Sequence, residues 1–115
     1  DQGYQIPLVG EALWAAKRII ETDNGSDFAF PRYNRGSATA ANSASAALNK
    51  WLKHYVPDGC TMHSFRHSMR DRLRAVQCPS DITDQIGGWA TDGVGQGYGS
   101  GYPMSVLQEW LVKAI

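Results

Sequence analysis

Apolar side chains recur every three or four residues through much of this chain, a spacing that places them on one face of an α-helix. The pattern predicts a first helix over residues 11–22, which the Gly at position 25 helps to end. It predicts a second and longer helix over residues 38–55, ending before the turn sequence Pro-Asp-Gly at residues 57–59. Helices therefore dominate the first half of the chain.

The second half continues the same pattern. A third helix is expected from residue 63 or 64 to residue 76, and a short fourth helix from about residue 80 to residue 86, with Ser80 or Asp81 as its N-cap. Two stretches differ: residues 4–8 are expected to be extended, as the tail of a strand, and residues 28–35 to form an aromatic loop. The fold class that this order of elements predicts is mainly α.

The C-terminal segment forms a further amphipathic helix after Pro103, which suits the first turn of a helix. Its apolar stripe consists of Val106, Leu107, Trp110, Leu111 and Ala114. Such a stripe can pack in the core of its own chain or dock onto a neighbouring protomer, and the sequence leaves both interpretations open.

Composition limits the class of protein. The chain has 115 residues with 43% hydrophobic content, which describes one globular domain or part of one. It has no apolar run long enough to cross a membrane, and it opens on Asp1 without a recognisable targeting signal, as a piece cut from a longer protein would. Two cysteines are too few for a disulfide scaffold, so we expect a reduced, cytoplasmic setting.

Charge is distributed unevenly along the chain. The formal net charge is zero, which argues against binding nucleic acid through bulk electrostatics. Residues 63–74, however, carry four Arg and two His against one acid, Asp71, and this local excess can contact a phosphate backbone. Arg66, Arg70 and Arg74 repeat every four residues, and for the last two we expect a solvated helix face.

Four residues near this basic segment have the chemistry of a phosphate-cutting site. Arg66 offers a planar fork that can hold two phosphate oxygens, and His63 can move a proton near neutral pH. Trp89 can donate one hydrogen bond through its indole N–H. Tyr98 follows in a glycine-rich segment and can act as a nucleophile, although Tyr102 has the same chemistry.

The order of these blocks resembles the catalytic domain of tyrosine recombinases, the phage-type integrases. Residues 63–67 match the family's H-x-x-R-H block, and residues 86–89 match its L-G-H/W block. Tyr98 lies nine residues after Trp89, the offset typical of the family's nucleophile, which favours it over Tyr102. A Trp in place of the second His, and the Gly-Tyr-Gly-Ser-Gly-Tyr-Pro ending, are most like integrases of phages, prophages and other mobile elements.

The resemblance implies that residues 1–115 are the C-terminal portion of such a domain: a helical bundle-like fragment whose β-hairpin is mostly missing. The implied activity is site-specific DNA recombination or integration through a 3′-phosphotyrosyl intermediate, without a metal or another cofactor. Arg66 would be the second clamp arginine and His63 the acid/base helper. Trp89 would stand where the family has its second His, and Tyr98 would be the nucleophile.

The family pattern is incomplete in this chain. Its first Arg and its hairpin Lys have no counterpart, because Lys17 and Lys50 fall in helices of the wrong blocks. We therefore expect the isolated fragment to be inactive. The implied partners are DNA with att-type recombination sites and, through the C-terminal helix, further copies of the chain. The implied setting is the cytoplasm of a bacterial or phage-infected cell.

Two other classes of function remain open. Four side chains can be read as zinc ligands: Cys60, His63, His67 and Cys78. Their spacing is not that of a standard finger, and a zinc module leaves Trp89 and Tyr98 unexplained. A metal-free DNA- or protein-interaction module without catalysis is the other alternative.

Overall fold

Five α-helices run through the residues that the computed structural model describes, which are residues 4–35, 38–89 and 101–115. The helices are α1 Gly10–Glu21, α2 Ala41–Leu52, α3 Ser64–Ala75, α4 Ser80–Gly87 and α5 Met104–Ala114. The mainly helical class is therefore confirmed. None of these helices is long and apolar enough to cross a membrane, in the described part of the chain.

The region before α2 differs from its prediction. A 3₁₀ turn at Pro31–Tyr33 leads into two short strands, β1 Asn34–Arg35 and β2 Ala38–Thr39, which pair antiparallel. Because this pairing occupies the residues at which the second helix was expected to begin, α2 begins only at Ala41. The predicted boundaries of this helix were therefore wrong at both ends, since it also ends at Leu52 rather than at residue 55.

Two smaller expectations were also wrong. Residues 4–9 form no regular element, so the predicted strand tail is not present there. The N-cap of α4 is Pro79, which has no side chain able to cap the helix. The carboxylate of Asp81 instead accepts a hydrogen bond from the backbone N–H of Ile82, at 2.9 Å.

The chain divides into two compact units, of which the first comprises the described residues of 1–14 and 66–115. Its core contains Leu73, Cys78, Ile82, Ile86, Leu107, Leu111 and Ala114. Leu73 and Leu107 are fully buried, so α3 and α5 both contribute to the centre of this core. The apolar stripe of α5 thus packs within its own chain, one of the two arrangements that the sequence left open.

In the second unit, residues 15–65, several of the large apolar side chains that the structure describes are exposed. Leu52 is buried, whereas Trp51 and Tyr55 are exposed and their rings contact each other at a centroid distance of 4.8 Å. Phe65, in the first turn of α3, is also exposed. The amphipathic pattern therefore predicted that this unit contains helices, although several of their large apolar side chains are exposed.

Candidate phosphate-binding site

The arginine at the centre of the predicted site lies in the first turn of α3. Arg66 is half-buried, and His63 directly precedes the helix and is exposed. The start of α3 is fixed locally, because the backbone N–H of Thr61 donates to Oγ of Ser64 at 2.9 Å. The predicted helix start at residue 63 or 64 is thus confirmed.

A tight turn at the end of α4 positions Trp89. Gly88 adopts the left-handed conformation, with φ of 70°. The backbone N–H of Trp89 then donates to the carbonyl of Asp84 at 2.9 Å, and that of Gly88 to the carbonyl of Gln85 at 3.4 Å. These two bonds form the Schellman motif, which reverses the chain at a helix end and usually requires glycine. The turn returns Trp89 to the side of its own helix.

The ring of Trp89 lies directly over Gly87, the last residue of α4. A Cβ atom at this glycine would stand 1.8 Å from Cζ3 of the indole and 1.9 Å from Cε3. Ordinary contacts between carbon atoms are about 3.5–4.0 Å, so any side chain at position 87 would occupy the space of the ring. The two consecutive glycines thus have different roles. Gly88 adopts the left-handed conformation that the turn requires, and Gly87 has no side chain that would clash with the indole of Trp89.

Two arginines of α3 contact the indole that this turn places. The Cζ atom of Arg66 lies 4.3 Å from the centroid of the Trp89 ring, and that of Arg70 lies 4.7 Å from it. Both distances are within the range of favourable cation–π contacts. The structure therefore brings together two of the predicted site residues, Arg66 and Trp89, and adds Arg70 to them.

The two arginines differ in their charge partners. Nη2 of Arg70 is 3.8 Å from Oδ1 of Asp84, whose side chain is almost fully buried. Among the residues described, no carboxylate forms an ion pair with Arg66. Our expectation of a solvated helix face was therefore incomplete for Arg70, whose side chain is 38% exposed but also contacts an acid and an aromatic ring. It holds for Arg74, which is exposed.

Tyr102, the rival to Tyr98 as nucleophile, is held by two residues of α4. Its hydroxyl donates to Oδ2 of Asp81 at 2.6 Å. The amide of Gln85 accepts from the backbone N–H of Tyr102 at 2.9 Å and donates to its carbonyl at 3.0 Å. The hydrogen bond to Asp81, together with desolvation and the charge of that carboxylate, raises the pKa of Tyr102. Tyr98 itself lies outside the described residues.

The four candidate zinc ligands do not form a metal site in the described part of the chain, which contains no group of three or more His, Cys, Asp or Glu side chains placed to hold an ion. Both cysteines are free thiols. Cys78 belongs to the core of the first unit, and burial is the main cause that raises the pKa of its thiol. Cys78 is therefore a core-packing residue of the first unit.

Searches against protein-family models, curated proteins and solved structures find no match to this chain. Sequence reasoning found Arg66 and Trp89 but missed the contributions of Arg70, Asp84 and Gly87. Of these, only the glycine had a visible signal, as the first residue of a Gly-Gly-Trp sequence at a helix end.

Proposed function

We propose that this chain is the C-terminal portion of the catalytic domain of a tyrosine recombinase of the phage-integrase type. The parent protein would carry out site-specific DNA recombination or integration through a 3′-phosphotyrosyl intermediate. The observation that carries the proposal is the contact between Arg66 and Trp89, at 4.3 Å from the guanidinium carbon to the ring centroid. Two separate sequence blocks that the resemblance assigns to one phosphate site are neighbours in space.

The charge at this contact suits a phosphodiester. Arg66 is permanently cationic, and within the described residues no carboxylate neutralises it, so its fork can bind an incoming anion. The indole of Trp89 adds a potential N–H donor beside it. A scissile phosphate bound beside this pair would have the negative charge of its transition state stabilised by groups that are already in position.

The proposed reaction exchanges one phosphate ester for another. The hydroxyl oxygen of Tyr98 attacks phosphorus, a bond forms between them, and the bond from phosphorus to the 5′ oxygen of the next nucleotide breaks. The proton lost by the tyrosine is balanced by the proton that the leaving 5′ oxygen gains, and His63 is the proposed acid/base helper. Rejoining is the reverse attack by a 5′ hydroxyl, so no external energy source is consumed.

The surroundings of Tyr102 favour Tyr98 as the nucleophile. A phenol that donates a hydrogen bond to a carboxylate loses its proton less readily, and the pKa of Tyr102 is accordingly raised. Tyrosine is the stronger nucleophile as the phenolate, and the bond to Asp81 disfavours that form in Tyr102. This agrees with the nine-residue offset that the sequence gives for Tyr98.

Two parts of the proposal concern the parent protein. The first clamp arginine and the active-site lysine would come from residues outside this chain, so the isolated 115 residues are proposed to be inactive. The proposed partners are DNA with att-type sites and other copies of the protein. Because the apolar stripe of α5 is packed in its own unit, self-association through this helix would have to use other residues, such as the exposed Val112 and Ile115.

The test uses the parent chain with its upstream residues, incubated with a nicked att-type DNA and analysed on a denaturing gel. We expect a covalent protein–DNA band that disappears with Tyr98→Phe and persists with Tyr102→Phe, the matched control. Loss of the band with Tyr102→Phe alone would move the nucleophile and contradict the pKa argument. Absence of an adduct on several candidate DNAs would leave a DNA- or protein-interaction module without catalysis as the better interpretation.

A further inference from the structure

Arg70 and Asp84 form a pair at the edge of the proposed phosphate site. Asp84 is 8% exposed and belongs to the fourth helix, whereas Arg70 belongs to the third. The carboxylate at position 84 is 3.8 Å from the Arg70 guanidinium, and the backbone carbonyl of the same residue accepts the N–H of Trp89. Asp84 therefore contacts Trp89 through its main chain and the arginine beside Trp89 through its side chain.

The negative charge of Asp84 reduces the repulsion between Arg66 and Arg70. Arg66 and Arg70 both lie within 5 Å of the centroid of one ring, and two cations so close repel each other unless an anion compensates one of them. Asp84 compensates Arg70, and among the described residues it is the acid that forms an ion pair with this arginine. Within the part of the chain that the structure describes, Arg66 is the arginine of this pair that has no carboxylate partner.

We propose that Arg70 is a positioning residue: paired with Asp84, it holds the indole of Trp89 against Arg66, so that these two groups are ready to bind a phosphodiester. This inference rests on the proposed function, since it assigns a task to a residue that supports the phosphate site. Arg70 acts through Trp89 and does not itself take the anion. Arginine suits this task better than lysine because its planar guanidinium can lie against an aromatic ring while it forms an ion pair with a carboxylate.

A direct phosphate ligand and a positioning residue predict opposite effects when Asp84 is changed. Asp84→Asn removes a negative charge from beside Arg70. If Arg70 bound the phosphate directly, its freed charge would tighten binding. If Arg70 positions Trp89, loss of its anchor moves the indole, and binding becomes weaker.

The experiment labels the four tryptophans of the chain with 5-fluorotryptophan and follows their ¹⁹F resonances during titration with inorganic phosphate. Trp89→Phe and Trp110→Phe assign two of the signals. Trp110 packs against the core of the first unit, so its resonance reports whether each variant is folded. The variants are Arg70→Gln, Arg70→Lys, Asp84→Asn and Arg66→Gln, and the matched control is Arg74→Gln, an exposed arginine one turn further along the same helix.

We expect phosphate to move the Trp89 resonance of the unchanged chain, and Arg66→Gln to abolish that response. Arg70→Gln and Asp84→Asn should each shift the Trp89 resonance before phosphate is added and weaken phosphate binding roughly fivefold, the loss of one cation–π contact. Arg70→Lys should restore little of the affinity, and Arg74→Gln should change neither signal.

Two outcomes would overturn the inference, and they are distinguishable. The first outcome is that phosphate binds to the unchanged chain through Arg66, but Asp84→Asn tightens binding or Arg70→Gln leaves the Trp89 resonance in place. In that case Arg70 is not a positioning residue, and the proposed function stands. If phosphate moves no resonance of the unchanged chain, the phosphate site itself is refuted, and the task proposed for Arg70 falls with it.

Discussion

The substitution Gly87→Ala tests how the site is built, because it changes one hydrogen into a methyl group under the indole of Trp89. The new Cβ would stand 1.8 Å from the ring, whereas carbon atoms in contact are about 3.5–4.0 Å apart. The ring must therefore retreat by roughly 2 Å. A shift of this size is large compared with the 4.3 Å between Arg66 and the ring centroid, so we expect it to disrupt the cation–π contact.

The expected change in stability is small because two effects oppose each other. Loss of the contacts from Arg66 and Arg70 costs about 0.5–1 kcal/mol for each at a partly exposed site. Replacing glycine by alanine in a helix returns at most about 1 kcal/mol. We therefore expect Gly87→Ala to be neutral or destabilising by about 1 kcal/mol in urea unfolding, while the ¹⁹F resonance of Trp89 shifts and its response to phosphate is lost.

A matched control is available in the same chain. With Trp89→Ala in place there is no ring to displace, so Gly87→Ala should then stabilise the chain by up to about 1 kcal/mol through helix propensity alone. The reasoning is refuted if Gly87→Ala has the same effect on stability in both backgrounds and the Trp89 resonance does not move. That result would mean that the indole is not packed over Gly87 in solution.

Three further predictions follow from the described contacts. The raised pKa of Tyr102 means that its bond to Asp81 stabilises the fold below the ordinary tyrosine pKa of about 10, and that this stability is lost as pH rises through the raised value. Asp81→Asn should lower the pKa of Tyr102, followed by tyrosinate absorbance, and should remove this loss of stability at alkaline pH. An unchanged pKa would contradict the hydrogen bond. Cys78 is buried and its thiol pKa is raised, so iodoacetamide should alkylate it much more slowly than Cys60 until urea unfolds the chain. Mass spectrometry measures the two rates, and equal rates in the folded chain would show that Cys78 lies outside the core. Leu107→Ala should lower the free energy of unfolding by about 2–5 kcal/mol, because this side chain is fully buried, and a loss below 1 kcal/mol would show that the core can collapse around it.

The sequence predicted those features that depend on one segment alone. The helices α1, α3 and α5 follow from apolar periodicity, and the end of α4 follows from its two glycines. The predicted start of α2 was wrong because the backbone pairing of β1 with β2, two strands separated by two residues, overrides helix propensity there. Short strand pairs of this kind have no pattern long enough to detect.

The contacts of single side chains were harder to predict than the elements that carry them. Arg70 and Arg74 occupy equivalent positions on one helical pattern, yet one is bound by Asp84 and Trp89 and the other is exposed. The difference is set by a residue of another helix, and periodicity within α3 contains no information about it. Charge repeats on a helix therefore predict a basic face but not which of its residues are neutralised.

The position of Trp89 depends on the turn at the end of α4 and on the packing of α3 against α4. Variants that change the turn and variants that change the packing should therefore have different effects on the indole. Its place over α4 depends on the turn from Asp84 to Trp89, six consecutive residues whose bonds are formed within the segment. Its contact with Arg66 depends in addition on the packing of α3 against α4 through Leu73, Ile82 and Ile86. A folded core variant such as Leu107→Ala should thus leave Trp89 over Gly87. Weakened phosphate binding without movement of the indole in such a variant would show that the arrangement of α3 and α4, rather than the turn, limits the site.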